Sequence, residues 1–272
     1  MAIDIGNSSI SVGVFDISSA QSSVMHSHFK ITAKDLSADE FSVLLKDFLA
    51  RDEIYPAYAA DTQKRIVDAS VISSVVPKLT NTLVRAAQQI CGKPPFMIAG
   101  GIRTGFGIQV KNPEQLGADI VCNAAAAIRI ASAPLAVLDM GTATTITYID
   151  KNLTIQGTAI CPGLAISLNA LYDSAAQISD IVLEEKNSLI GKDTRSAVCA
   201  GVVNGNAFMI DGFVRNIREQ FLDKSTGEKL SLVATGGLAQ LVLPCLRNKF
   251  QYVETLTLQG MVDLYLKNQK NV

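Results

Sequence analysis

Histidine is almost missing from this chain of 272 residues, which has only His26 and His28. Two histidines with no third ligand read as exposed strand residues rather than a metal site, and no Ser-His-Asp order or zinc ligand set is present. The five cysteines, Cys91, Cys122, Cys161, Cys199 and Cys245, are scattered through apolar stretches without CxxC spacing. Odd in number, they read as reduced core thiols rather than disulfides. An excess of either charge is lacking too: 24 Lys and Arg face 25 Asp and Glu. The net charge of −1 gives no electrostatic reason to expect nucleic acid or an anionic membrane as partner. No uncharged apolar run reaches the roughly 18 residues of a membrane helix, and the first residues enter a strand without a basic leader. These absences predict a globular cytoplasmic protein. The hydrophobic fraction of 48% is ample for one large core or two.

What is present is a pattern stated twice. Ala2-Ile3-Asp4-Ile5-Gly6-Asn7-Ser8-Ser9 is echoed half a chain later by Val137-Leu138-Asp139-Met140-Gly141-Thr142-Ala143-Thr144. Each is a short apolar run, an aspartate, one apolar residue, a glycine and small polar side chains, followed by β-type sequence (Ile10 to Phe15, Thr145 to Ile149). Physically each is a strand, a tight turn and a returning strand with a carboxylate at the mouth of the turn. Glycine lets backbone come close to a ligand. Amide hydrogens and hydroxyls can cradle a phosphate, and an aspartate can hold magnesium or its waters. A third small-residue turn, Thr235-Gly236-Gly237, ends the apolar strand Leu230 to Ala234. A glycine pair there admits a planar adenine or ribose, or simply starts the next helix.

Between these turns strands and helices alternate, which predicts an α/β fold. Ser18 to Ser23 reads as a serine-rich loop. Ser37-Ala38-Asp39-Glu40 opens a helix to about Ala50, with Phe41, Leu44, Leu45 and Phe48 on one face. Arg65 to Val75 reads as a buried strand, with Ile66 to Ile72 at its centre, and Lys78 to Ile90 as a helix. Helices are also expected over Gly117 to Ser132, Pro162 to Tyr172, Lys192 to Gln220, after Gly237 to about Leu246, and from Leu258 onward. Asn152 to Ile160 reads as a hairpin partner. The join between halves falls between Ile108 and Leu116, giving domains 1–114 and 115–272.

Taken in order, these stretches resemble the type III pantothenate kinase family, also known through the Bvg accessory factor, within the actin-like ATPase superfamily. Asp4-Ile5-Gly6-Asn7-Ser8 resembles its DxGNT turn, Leu116-Gly117-Ala118-Asp119 its GADR motif, and Asp139 to Thr145 its DxGTAxT. Gly157 to Gly163, Ile190 to Thr194 with Gly201 and Gly205, Ala234 to Gly237 and Leu256 to Gly260 are similar as well. The resemblance implies duplicated ribonuclease H-like domains with the active site in the cleft between them. It implies ATP-dependent phosphorylation of pantothenate, the first step of coenzyme A synthesis, with Mg2+ and a monovalent cation, K+ or NH4+, in a homodimer.

By the same resemblance Asp119 is the general base, and Asp4 organises magnesium while Gly6, Asn7 and Ser8 hold the ATP phosphates. Asp139 is a monovalent-cation ligand, Thr142 a phosphate contact, and Gly236 and Gly237 border the nucleotide. Gly117, Ala118, Asp119, Ile120 and Thr194 line the pantothenate site. From local sequence alone, Asp119 reads better as a capping or first-turn helix aspartate, favoured there by the helix dipole, and Thr194 reads as a helix N-cap. Lys192 near Thr194 lacks the glycine spacing and preceding strand of a P-loop.

Three positions differ from the family pattern. Ile120 stands where the GADR arginine pairs with the pantothenate carboxylate, Val110 replaces a tyrosine, and Thr147 an aspartate. Loss of a charge-assisted pair costs on the order of 1.5–3 kcal/mol. Three readings stay open: a pantothenate kinase whose acceptor is held by other groups such as Arg103 or Lys111, a kinase for another small alcohol, and a catalytically weak nucleotide-binding homologue with a regulatory role.

Overall fold

A computed structural model of the chain describes residues 1–19, 22–32, 36–50, 67–174, 181–184, 188–223, 225 and 227–269. The chain forms two compact units. One comprises Met1–Gly105, Asn112–Ala126 and Leu256–Val272, the other Phe106–Lys111 and Ala127–Thr255.

The first unit contains β1 (Ala2–Ile5), β2 (Ser9–Ser19), β3 (Ser22–Thr32), α1 (Ala38–Leu49), β4 (Val71–Ser74), α2 (Pro77–Cys91) and β5 (Phe96–Met97). Its sheet runs in the order β3-β2-β1-β4-β5. The second unit contains β6 (Gly107–Ile108), β7 (Leu135–Met140), β8 (Ala143–Ile149), β9 (Thr154–Pro162) and α4 (Leu164–Ser174). Next come α5 (Thr194–Cys199), a π-helical stretch (Ala200–Asn204), α6 (Gly205–Phe221), β10 (Ser231–Thr235), α7 (Ala239–Val242) and β11 (Gln251–Tyr252). Its sheet order is β11-β10-β7-β8-β9-β6. The remaining helices are α3 (Ala118–Ile130) and α8 (Leu256–Asn268).

Apart from β6, the two sheets are built alike. β1 pairs antiparallel with β2 and parallel with β4, and β7 pairs antiparallel with β8 and parallel with β10. The repeat seen in sequence is therefore a repeat of topology. Period-two alternation sends Ile3 and Ile5 to one face of the first sheet, where they pack with Phe41, Leu45, Leu83 and Ile72 in a core. Leu138 and Met140 do the same in the second unit, against Val203, Ile210 and Val214. Asp4 and Asp139, one step out of phase, fall on the other face.

Local chemistry accounts for the helices. Ser37 caps α1 in a reciprocal box with Glu40, the Glu40 amide donating to Ser37 Oγ and the Ser37 amide to Glu40 Oε2. Pro77 opens α2, and Gly92, with φ of 67°, closes it. At the far end of the first unit, Asn268 and the backbone of Arg103 exchange two hydrogen bonds, each 2.9 Å.

Several expectations are corrected. Ser18, Ser19, Ser22 and Ser23 of the serine-rich stretch are strand rather than loop: β2 runs to Ser19 and β3 starts at Ser22, with Ser19 opposite Ser22, while Ala20 and Gln21 lie outside the described residues. Small polar residues did not stop the β2–β3 ladder short of Ser19 and Ser22. Leu44 is 37% exposed, and Leu49 joins the buried face of α1 in its place. The strand expected over Arg65 to Val75 begins at Val71, because pairing with β1 starts where Ala2 meets Val71; Arg65 and Ile66 lie outside the described residues. The continuous helix Thr194–Phe221 is long and apolar enough to cross a membrane by length and composition. Over half of its most apolar window is buried inside the protein, as a core helix requires.

Candidate active site

In the first unit Asp4 lies between two hydroxyl residues, Ser11 across the antiparallel pair and Ser73 across the parallel one. The turn that follows is closed by the Gly6 amide donating to the Ser9 carbonyl at 2.9 Å. Asp119 stands in the first turn of α3 and accepts a 2.9 Å hydrogen bond from the Ile120 amide. Its Oδ1 occupies the space that a Cβ on residue 117 would fill, so a side chain there would have to turn the carboxylate aside.

The structure brings Asp4 and Asp119 to a common neighbour, Cys122. Burial pushes this thiol well above its ordinary pKa, and the charges of Asp4 and Asp119 push it further. Both carboxylates thus act electrostatically on one fully buried thiol of the first unit. Sequence reading passed over Cys122 because nothing local distinguishes it from the other core cysteines.

The second unit repeats the arrangement. Asp139 lies between Thr145 and Thr235, the same hydroxyl-flanked position on the equivalent strand. The small-residue turns are stacked on one another. A Cβ on Gly236 would sit 2.5 Å from the backbone N, C and O of Met140, and that glycine has φ of +98°. A Cβ on Gly163 would collide with the carbonyls of Thr142 and Gly141. Gly236, Gly163 and the Asp139 turn are thus gathered at the ends of β7 and β10, with Gly237 exposed beyond them.

Thr194 is exposed on the first residue of α5. The N-cap is Asp193 instead, whose side chain accepts from the Ser196 amide at 2.9 Å and the Ser196 hydroxyl at 2.8 Å. Gly191 is packed so tightly on Ser196 and Ala197 that no side chain fits there. Local folding thus explains Gly191 and Asp193 and leaves Thr194 available for another role. His26 is the exposed strand residue expected, paired with Asp16 at 2.6 Å.

The donor set suits a hard cation and phosphate oxygens: carboxylates flanked by hydroxyls, with glycine backbone where side chains would intrude. Among the described residues no three His, Cys, Asp or Glu side chains gather into a metal cage. A magnesium ion at Asp4 would therefore complete its shell with phosphate oxygens and water, the mode it ordinarily adopts at nucleotides.

A family model described as type III pantothenate kinase matches residues 1–216. The chain belongs to the type III pantothenate kinase family. It is 36% identical over 271 residues to a type III pantothenate kinase of Shouchella clausii, covering 99% of each chain. A type III pantothenate kinase of Anaeromyxobacter sp. strain K is 35% identical over 270 residues, again covering 99% of each. In fold, the chain is similar to a conserved putative Baf family transcriptional activator from Campylobacter jejuni (TM-score 0.55, 20% identity, 98% of each chain). It is also similar to the activator of the 2-hydroxyisocaproyl-CoA dehydratase from Clostridium difficile (TM-score 0.54, 10% identity, 99% and 97%).

Against the type III pantothenate kinase pattern, the three departures are now located. Ile120 is 6% exposed, its side chain buried beside Gly117 and Val121. Thr147 is 3% exposed and shares a 3.1 Å hydrogen bond with the Thr158 hydroxyl, which itself donates to the Ile146 carbonyl. A hydrogen-bonded threonine pair, Thr147 buried and Thr158 half-buried, stands where the pattern has a carboxylate. Val110 is half-buried, just past β6.

Proposed function

We propose that this chain is a type III pantothenate kinase that transfers the γ-phosphoryl group of ATP to the primary alcohol of pantothenate, forming 4'-phosphopantothenate for coenzyme A synthesis. The observation that carries this is the pairing of family membership with a retained Asp4 and Asp119 in one compact unit, their charges both raising the pKa of Cys122. Phosphoryl transfer is mainly positioning and charge neutralisation. Asp119 takes the proton of the attacking hydroxyl as its oxygen bonds to the γ-phosphorus and the bond to ADP breaks. Asp4 holds magnesium, and Gly6, Asn7 and Ser8 hold phosphate oxygens. Asp139 holds the monovalent cation, K+ or NH4+, while Thr142, Gly236 and Gly237 border the nucleotide. Bound magnesium offsets the negative charge of the phosphates. Gly117, Ala118, Ile120 and Thr194 border the acceptor.

The halves 1–114 and 115–272 are taken as the duplicated domains, and the working form as a cytoplasmic homodimer. Purified protein with ATP, Mg2+, K+ or NH4+ and pantothenate is expected to release ADP and phosphopantothenate in equal amounts. Turnover only with another alcohol would replace the acceptor, a reading that the apolar, buried Ile120 favours. ATP binding without turnover on any acceptor would leave a regulatory homologue.

A further inference from the structure

The last helix of the chain has no part in the chemistry just assigned, yet it crosses α3 one turn beyond Asp119. A side chain on Gly260 would collide with the Cys122 carbonyl, so the backbones of α8 and α3 touch at that point. One turn earlier on α8, the Thr257 hydroxyl donates to Asn123 Oδ1 at 2.8 Å, and Asn123 is only 3% exposed. The residues of α3 so engaged directly follow Asp119, Ile120 and Val121.

The opposite side of α8 packs on the strands that carry Asp4. It contacts β1, β4 and β2, and Leu258 fills the space beside Gly13, which lies opposite Ala2 in the sheet. The far end of α8 is tied to the same unit by the reciprocal Asn268–Arg103 pair. One rigid helix thus touches both the strand that holds Asp4 and the helix that holds Asp119.

We infer that Thr257 and Gly260 are positioning residues: through α8 they set the place of the Asp119 carboxylate relative to Asp4. This rests on the assignment of Asp119 as the base. Gly260 permits the close crossing, and the Thr257–Asn123 hydrogen bond fixes its register, since a slide of α8 along α3 would leave a buried amide oxygen without that partner. A misplacement of about 1 Å is worth roughly a hundredfold in rate, so a device that never touches substrate governs turnover.

The test uses Thr257→Val, Thr257→Ser and Gly260→Ala in the full chain, with two readouts: steady-state kinetics, and the rate at which a maleimide alkylates Cys122, identified by peptide mass. Thr257→Val is expected to lower kcat at least tenfold with KM for ATP within twofold of the parent. Thr257→Ser, which restores the hydroxyl, should recover kcat to within threefold. Cys122, fully buried in the parent, should be alkylated at least tenfold faster in Thr257→Val. Gly260→Ala should behave likewise if it folds; if it does not, the Thr257 pair alone decides. Parental kcat in Thr257→Val, continued protection of Cys122 in it, or no recovery with serine would each overturn the inference. If the parent chain phosphorylates no pantothenate, the functional reading falls. Cys122 alkylation then still decides whether Thr257 holds α3 in place.

Discussion

The carboxylate of Asp119 occupies the room that a side chain on residue 117 would need. Glycine is present here for its missing Cβ and not for an unusual backbone angle, since Gly117 is absent from the positive-φ residues. The obstruction is the end of a short, rotatable side chain, so it can be relieved by turning Asp119 aside. Gly117→Ala is expected to fold with a stability change within about 1 kcal/mol while losing roughly a hundredfold in kcat. Asp119→Asn should lose about 10²–10⁴-fold with ATP binding intact. Steady-state kinetics beside thermal melts would decide; an alanine variant with normal kcat would show that the glycine serves another purpose.

Gly236 presents the opposite case. Its neighbour is the rigid backbone of Met140, 2.5 Å from where a Cβ would stand, and its φ of +98° disfavours any side chain. Gly236→Ala should therefore cost about 2–4 kcal/mol, lower the melting temperature, and weaken ATP binding with it. An alanine variant that melts like the parent would mean that this turn has slack.

Asp4→Asn preserves shape but removes the charge assigned to magnesium. Losing a charge-assisted contact of about 1.5–3 kcal/mol corresponds to roughly ten- to a hundredfold in kcat/KM for ATP. Raising magnesium should recover part of it. A magnesium titration superimposable on that of the parent would remove Asp4 from that role.

The cap on α5 predicts a pH dependence. Hydrogen bonds from the Ser196 amide and hydroxyl hold the Asp193 carboxyl below the usual carboxylate range. A depressed carboxyl stabilises the fold when ionised, so its contribution is complete above the ordinary carboxylate pKa and fades as pH falls through the lowered value. Asp193→Asn should melt below the parent at pH 7, with the gap closing in strong acid. A gap of constant size across that range would rule out the ionised cap.

The repeated Asp-x-Gly turns were legible because their determinants are local: a period-two apolar run, an aspartate one step out of phase, then glycine. From these alone the matched sheets around β1 and β7 could be expected. Thr194 as an N-cap could not be corrected from sequence, since Asp193 beside it is an equally good cap and only the Ser196 geometry chooses. The partnership of Cys122 with Asp4 and Asp119 was also out of reach. It depends on Asp4 and Cys122 coming within electrostatic reach of one another, although more than a hundred residues separate them. Thr147 read as a lost carboxylate; that its hydroxyl meets Thr158 on the next strand is visible only once the β8–β9 register is known.

The closing of the first sheet by α8 has a consequence for biosynthesis. Ala2 to Met97 supply every strand of that sheet, yet one of the helices covering its polar face is made of residues 256–268. On the ribosome the first unit therefore waits, its face beside Asp4 uncovered, while the whole second unit is synthesised. N-terminal-first folding, the common order, is not available to this half. The unit that starts first finishes last, and a kinase cut short before Leu256 would carry both aspartates and still lack the helix that holds them in register.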